Sequence, residues 1–349
     1  MVSAFLVAAA LFSAVVQPGA SVVRSDFTVS SDPGIELFVR QVRTAGDAAP
    51  HDPVLLIHGA RVGGLASFDV DVNGLSLAAH LARAGHAVYI ADLRGFGRST
   101  YPEAMHGPRF EAPPATPTGD AVTDIRAVLA AIKARHGQAP VAGLGWATGS
   151  HWLAAAEAAY PGSFDRLVVF NAVYGGQGDW PLSEAFSAPG EPGRFDYDRF
   201  GAYRLSDADS LVGRWARADG VSEAFVARYV ELAMEGDPTA QSRTPTSFRH
   251  PSGPIADTLR AVHDGALYDA GDIRSRVLIL RSEDDFWSRP IDVTTLADDL
   301  NSAADVTVAE LSGASHYVHL QPGQARERFL TMVLDYLQDG RLDEVVVTE

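Results

Sequence analysis

The chain has 349 residues, 46% hydrophobic and 21% charged, a composition that supports a folded core and excludes a disordered chain. Its net charge of −16 repels phosphate backbones and anionic lipid, so nucleic acid is not an expected partner. There is no cysteine, which excludes disulfides, thiolate nucleophiles and Cys-ligated zinc.

The chain opens on an apolar run from Ala4 to Val16, broken only by Ser13. The run is too short to span a bilayer and has the length of a signal-peptide core, with Gly19 and Ala20 as candidate cleavage sites. Residues 1–20 are therefore expected to be a signal peptide of a secreted or periplasmic protein. Against this, no Lys or Arg precedes the run, the first being Arg24. The competing expectation is a buried N-terminal helix in a cytoplasmic protein. No later stretch has the length and apolarity of a membrane span.

Phe27 to Ser31 and Glu36 to Arg43 predict two short strands around the turn Asp32-Pro33-Gly34. Val54 to Ile57 is a continuous apolar run, as in a strand buried on both faces. Leu65 to Ala84 predicts one helix. Ala87 to Ala91 is a second buried strand, ended by Asp92-Leu93-Arg94-Gly95. Residues 101–119 hold five prolines and read as a loop, and Asp120 to Arg135 as an amphipathic helix. Then come a strand from Pro140 to Leu144, a helix from Thr148 to Tyr160 and a strand from Leu167 to Phe170. Gly176 to Arg276 holds no convincing buried strand, but has helical stretches at Asp207 to Arg217 and Ser222 to Met234 and many aromatics. Val277 to Leu280 and Val306 to Leu311 are the last strands, and a helix from Gln324 to Gln338 closes the chain. Strands alternating with helices predict an α/β fold whose mostly parallel sheet is covered on both faces.

Three segments carry chemistry. Gly143-Leu144-Gly145-Trp146-Ala147-Thr148-Gly149-Ser150 is a strand, a glycine-flanked turn and a helix start. A nucleophile elbow has the form Gly-x-Ser-x-Gly in this setting. Gly145, Ala147 and Gly149 fill the three fixed places, with alanine where serine is expected. The strand Val277 to Leu280 runs into Glu283-Asp284-Asp285, and the next strand runs through Leu311-Ser312-Gly313-Ala314-Ser315 into His316. The chain order of nucleophile position, acid and base is the one such elbows use.

With His58-Gly59 after the first buried strand and Asp92 to Ser99 after the second, these segments resemble the α/β-hydrolase superfamily over nearly the whole chain. They look like its esterase, lactonase and epoxide-hydrolase-like branch, which carries a helical cap. The resemblance implies a core of residues 21–176 and 271–349, with a cap at 177–270 inserted before the acid-bearing strand. It implies His316 as general base and Asp285 as its orienting acid. Asp284 competes for the acid role, and the family's Gly-x-x-Asp spacing, here Ser282 to Asp285, favours Asp285. The backbone amides of Ala60 and Thr148 are implied as the oxyanion hole.

The expected partner is a small acyl compound, an ester or lactone, and no cofactor or metal is expected. Trp146, His58, Trp180 and Trp287 are the candidate substrate-binding residues. His58 also reads as a brace of its loop, and His319, His151, Asp92 and Arg94 as structural residues. A methyl group cannot attack a carbonyl, so Ala147 leaves two readings. One is a serine hydrolase inactivated by a Ser→Ala change. The other is a natural non-hydrolytic relative, either a ligand-binding pseudoenzyme or a cofactor-free lyase or isomerase that uses His316 as base. An epoxide hydrolase or dehalogenase would need a carboxylate at position 147.

Overall fold

The computed structural model describes residues 20–46, 51–176 and 178–342. The apolar run Ala4 to Val16, read as a signal-peptide core, lies outside these residues.

The chain begins with an antiparallel pair, β1 (Val22–Ser30) and β2 (Glu36–Thr44). After β3 (His51–Ile57) come α1 (Gly64–Phe68) and α2 (Leu77–Arg83), then β4 (His86–Ala91), α3 (Thr118–Arg135), β5 (Ala142–Trp146), α4 (Thr148–Ala159) and β6 (Arg166–Phe170). A long excursion follows, with α5 (Ser183–Phe186), β7 (Ser187–Ala188), β8 (Glu191–Phe195), α6 (Tyr197–Phe200), β9 (Tyr203–Asp207), α7 (Ala208–Leu211), α8 (Glu223–Glu235), β10 (Ser247–Pro251) and α9 (Gly253–Asp264). The chain ends with β11 (Arg276–Asp284), α10 (Pro290–Asp299), β12 (Asp305–Ser315) and α11 (Gln324–Asp339). The central sheet has the order β1-β2-β4-β3-β5-β6-β11-β12. The pairs β1–β2 and β2–β4 are antiparallel, and every later pair is parallel.

The parallel strands are apolar without alternation because both faces are covered. Successive side chains still point to opposite faces. Val54 and Leu56 join one hydrophobic layer, while Leu55 and Ile57 join the other. Leu278 and Leu280 divide from Val277 and Ile279 in the same way. Phe329 and Val333 of α11 close the first layer, and Ile125 and Val128 of α3 with Trp152 of α4 close the second.

Two sequence expectations are corrected. The single helix from Leu65 to Ala84 is broken into α1 and α2. Asp69 turns inward at the break, where it accepts from Arg24 (2.8 and 2.9 Å) and from the Ser76 hydroxyl (2.7 Å). Asn73 and Gly74 take left-handed backbone, and Ser76 then caps α2 through the Ala79 amide at 3.0 Å. The excursion between β6 and β11 is not free of buried strands. β10 is buried along its length and pairs with β9. Its sequence, Ser-Phe-Arg-His-Pro, hides it: Arg249 is buried by pairing with Asp237 at 2.8 Å, so no apolar pattern announces the strand. None of β7 to β10 joins the central sheet.

Candidate active site

The parallel strands β3, β5 and β11 and the edge strand β12 deliver their C-terminal loops to one rim, where ligands gather in open α/β sheets. At the end of β5, Ala147 adopts φ 53° and ψ −117° before α4 begins. A residue with a Cβ rarely takes this backbone. The flanking glycines make the turn possible. A Cβ on Gly145 would run into the backbone of Gly149 and Ser150, and one on Gly149 into the carbonyls of Ile57 and His58. The turn is anchored by the Ala147 amide donating to Phe170 O at 2.8 Å. The Ser150 hydroxyl donates to Gly145 O at 2.6 Å and accepts from the Phe170 amide at 2.8 Å.

His316 follows β12, and its Nδ1 meets Asp285 Oδ1 at 2.7 Å. The Asp285 carboxylate is fully buried. It also accepts the amides of Trp287 and Ser288 at 3.0 and 3.1 Å and the Ser288 hydroxyl at 2.6 Å. Burial pushes the Asp285 carboxyl up, but the His316 ring and these donors outweigh it and hold the group below the usual aspartate value. An ionised Asp285 on Nδ1 holds the proton there and leaves Nε2 with its lone pair. Asp284, the competing acid, is exposed at the end of β11. The Trp146 indole donates to His316 O at 3.1 Å and lies 5.1 Å from the imidazole, ring to ring.

Ala147, His316, Trp146, Ala60 and Thr148 line one cavity of about 510 Å³, within the usual size of small-molecule sites. The Thr148 amide is at the first turn of α4, where no intrahelical acceptor exists. The Thr148 hydroxyl is buried without a protein partner.

A family profile described as serine aminopeptidase, S33, matches residues 73–190, which include the Ala147 turn but not Asp285 or His316. Solved structures share the fold at low identity. A serine hydrolase from the polyaromatic-hydrocarbon-degrading bacterium Cycloclasticus zankles is 13% identical, with a TM-score of 0.59 over 92% of this chain and 100% of that one. A serine-to-alanine mutant of the meta-cleavage product hydrolase from Pseudomonas fluorescens IP01, complexed with acetates, is 15% identical, with a TM-score of 0.58 over 90% and 98%. The thioesterase domain from the curacin biosynthetic pathway is 16% identical, with a TM-score of 0.58 over 90% and 99%. No curated protein matches the sequence. The chain has the α/β-hydrolase fold.

Within this fold the four candidate substrate-binding residues separate. Trp146 and Trp287 line the cavity, whereas His58 and Trp180 do not. His58 is consumed by its own loop, since Nδ1 meets Gly59 O at 2.7 Å and Nε2 accepts the Leu93 amide at 3.2 Å. Burial lowers its pKa to about 4, so it stays neutral. Trp180 stands behind Trp287, donating to its carbonyl at 2.9 Å. Asp92 and Arg94 brace loops. Asp92 accepts the amides of Gly64 and Arg98 at 2.6 and 2.9 Å, and Arg94 pairs with Asp124. His319 is buried beside Trp146, 4.5 Å ring to ring.

The sequence reading does not single out Arg61, Arg204 and His250, which also line the cavity. Arg204 on β9 faces His250 on β10 across the strand pair. Only the position of Arg61, immediately after His58-Gly59-Ala60, was a signal.

Proposed function

We propose that this chain is the scaffold of a capped serine hydrolase acting on carboxylic esters, lactones or related acyl compounds, with Ala147 standing in the place of the nucleophilic serine. The observation that carries the reading is His316, held at 2.7 Å by the buried Asp285 carboxylate and lining one cavity with an alanine in elbow geometry. Residues 177–270 act as the cap: Phe186, Phe200, Arg204, Leu211, Tyr229 and His250 wall the cavity opposite the sheet.

With serine at position 147, His316 Nε2 would take the hydroxyl proton as Oγ bonds to the acyl carbon. The developing oxyanion would accept from the amides of Ala60 and Thr148. His316 would return the proton to the leaving alcohol, and water would release the acid by the same path. A methyl group provides neither the attacking oxygen nor the proton, so the chain as it stands binds acyl compounds without forming an acyl intermediate.

The test is Ala147→Ser, assayed on short p-nitrophenyl esters and lactones. Hydrolysis that appears with serine and disappears when His316→Ala is added supports the reading. An inert, folded Ala147→Ser protein overturns it. A second reading, favoured by Ala147 itself, is a non-hydrolytic relative that binds ligand or uses His316 as base. Turnover of some substrate by the chain with Ala147 unchanged, lost in His316→Ala, selects that reading.

A further inference from the structure

The chain carries a net charge of −16, yet the residues lining the cavity include four arginines, Arg61, Arg109, Arg199 and Arg204, and no aspartate or glutamate. Each arginine ends on neutral acceptors. Arg61 donates to the Ser206 hydroxyl at 3.2 Å and the Ser210 carbonyl at 2.7 Å. Arg109 donates to the carbonyls of Arg199 and Phe200, and Arg199 to that of Ala185. Arg204 makes one hydrogen bond, Nη2 to Ala60 O at 3.3 Å, and its Nε is buried without a partner. Among the described residues none of the four pairs with a carboxylate, whereas the buried arginines Arg94, Arg249 and Arg289 do.

Burial and the neighbouring Arg61 charge lower the Arg204 pKa to about 9, the mark of a cation without a counterion. Burial, with the Arg204 and Arg61 charges, keeps His250 neutral, with its Nε2 3.0 Å from the Ser206 hydroxyl. Arg204 and His250 thus line, from the cap side, a cavity whose walls include no carboxylate, and neither is paired with an acid. A guanidinium is costly to desolvate alone and forms its strongest hydrogen bonds with a planar oxyanion.

We propose that the cavity selects acyl compounds bearing a second, free carboxylate, and that Arg204, supported by Arg61, is the residue that recognises it. The inference rests on the reading of this cavity as the acyl site and names its substrate class. Arg204 bonds the carbonyl of the same residue whose amide faces the acyl oxygen, so the carboxylate and the reacting carbonyl lie a few bonds apart. Half-esters of short dicarboxylic acids have that form. The apolar remainder of the lining, Val62, Leu211 and Phe286 among it, receives the alkyl or aryl alcohol part.

The test uses the chain as it stands, which binds without turnover. Monomethyl succinate, glutarate and adipate are titrated calorimetrically beside their dimethyl esters. At least one half-ester should bind about tenfold or more tightly than its diester, the value expected for charge-assisted hydrogen bonds to a carboxylate. Arg204→Gln should bring that ratio to about one, and Arg204→Lys should keep part of it. Arg61→Gln, which lies on the core side, provides a second reduction if Arg204→Gln fails to fold by circular dichroism. Equal affinity for half-esters and diesters, no detectable binding of any half-ester, or a ratio that survives both substitutions overturns the proposal. An inert Ala147→Ser protein with the ratio intact would sink the hydrolase reading alone. An active one without the ratio would sink only this inference.

Discussion

Ala147 holds its strained backbone although its methyl group does nothing that the strain would serve. Positive φ in a residue with a Cβ costs on the order of 1–3 kcal/mol and persists only where the surroundings impose it. Here they do: the Phe170 carbonyl, the Ser150 hydroxyl and two collision-limited glycines leave the chain no other path. The cost is therefore removable. Ala147→Gly should raise the unfolding free energy by about 1 kcal/mol in urea, because the relief exceeds the extra backbone entropy of glycine in the unfolded chain. A destabilised Ala147→Gly protein would mean that the turn is relaxed. Serine differs from alanine by one oxygen directed into the cavity, so Ala147→Ser is expected to leave stability within about 0.5 kcal/mol.

At the level of elements, what can be read from the sequence divides by mechanism. The positions 147, 285 and 316 are readable because each follows an apolar strand with its own turn or loop signature, and a parallel sheet delivers all such ends to one rim. The sheet strands are readable for the same reason. The break between α1 and α2 is not, since it depends on Asp69 meeting Arg24 and Arg40 from β1 and β2. Nor is β10, whose burial is purchased by an ion pair and not by apolar area, and with β10 went the two cavity residues of the strand pair, Arg204 and His250. That ion pair gives a prediction. Asp237 accepts from the amide, Nε and Nη2 of Arg249 and from Arg243, all within 3.0 Å. Asp237→Ala would leave the Arg249 charge buried and alone, and should cost roughly 3–5 kcal/mol. Hydrogen exchange should show the loss first in β9 and β10. A double Asp237→Leu, Arg249→Met protein should recover at least half of it, because no uncompensated charge remains; a double variant as unstable as the single would show that the pair's geometry matters more than its charge.

For the whole molecule the same economy, few unpaired charges inside and many acids outside, sets the response to pH. In four of the six histidines buried among the described residues, His58, His151, His250 and His319, burial lowers the pKa, to about 4 for His58 and His151 and well below the ordinary value for the others. In the unfolded chain each titrates near 6.5. As pH falls below 6.5 the unfolded chain takes up protons that the folded chain refuses, so stability falls, and for His58 and His151 it continues to fall until about pH 4. Each group contributes at most about 1.4 kcal/mol per pH unit in that window. Asp92 acts with the opposite sign: burial raises its pKa to about 6, so the folded chain is protonated first and gains stability as pH falls from 6 towards the ordinary aspartate value. One such group offsets one histidine, not four. The melting temperature should therefore drop steadily from pH 7 to pH 5, before the bulk of the surface carboxylates titrates. Replacing His151, whose ring nitrogen meets the Thr118 hydroxyl and whose ring packs against Tyr268, by glutamine should make that slope shallower while leaving the neutral-pH value little changed. A melting temperature flat from pH 7 to pH 5 would mean that these rings accept protons inside the fold, and the neutral His250 opposite Arg204 would then be the first assignment to give up.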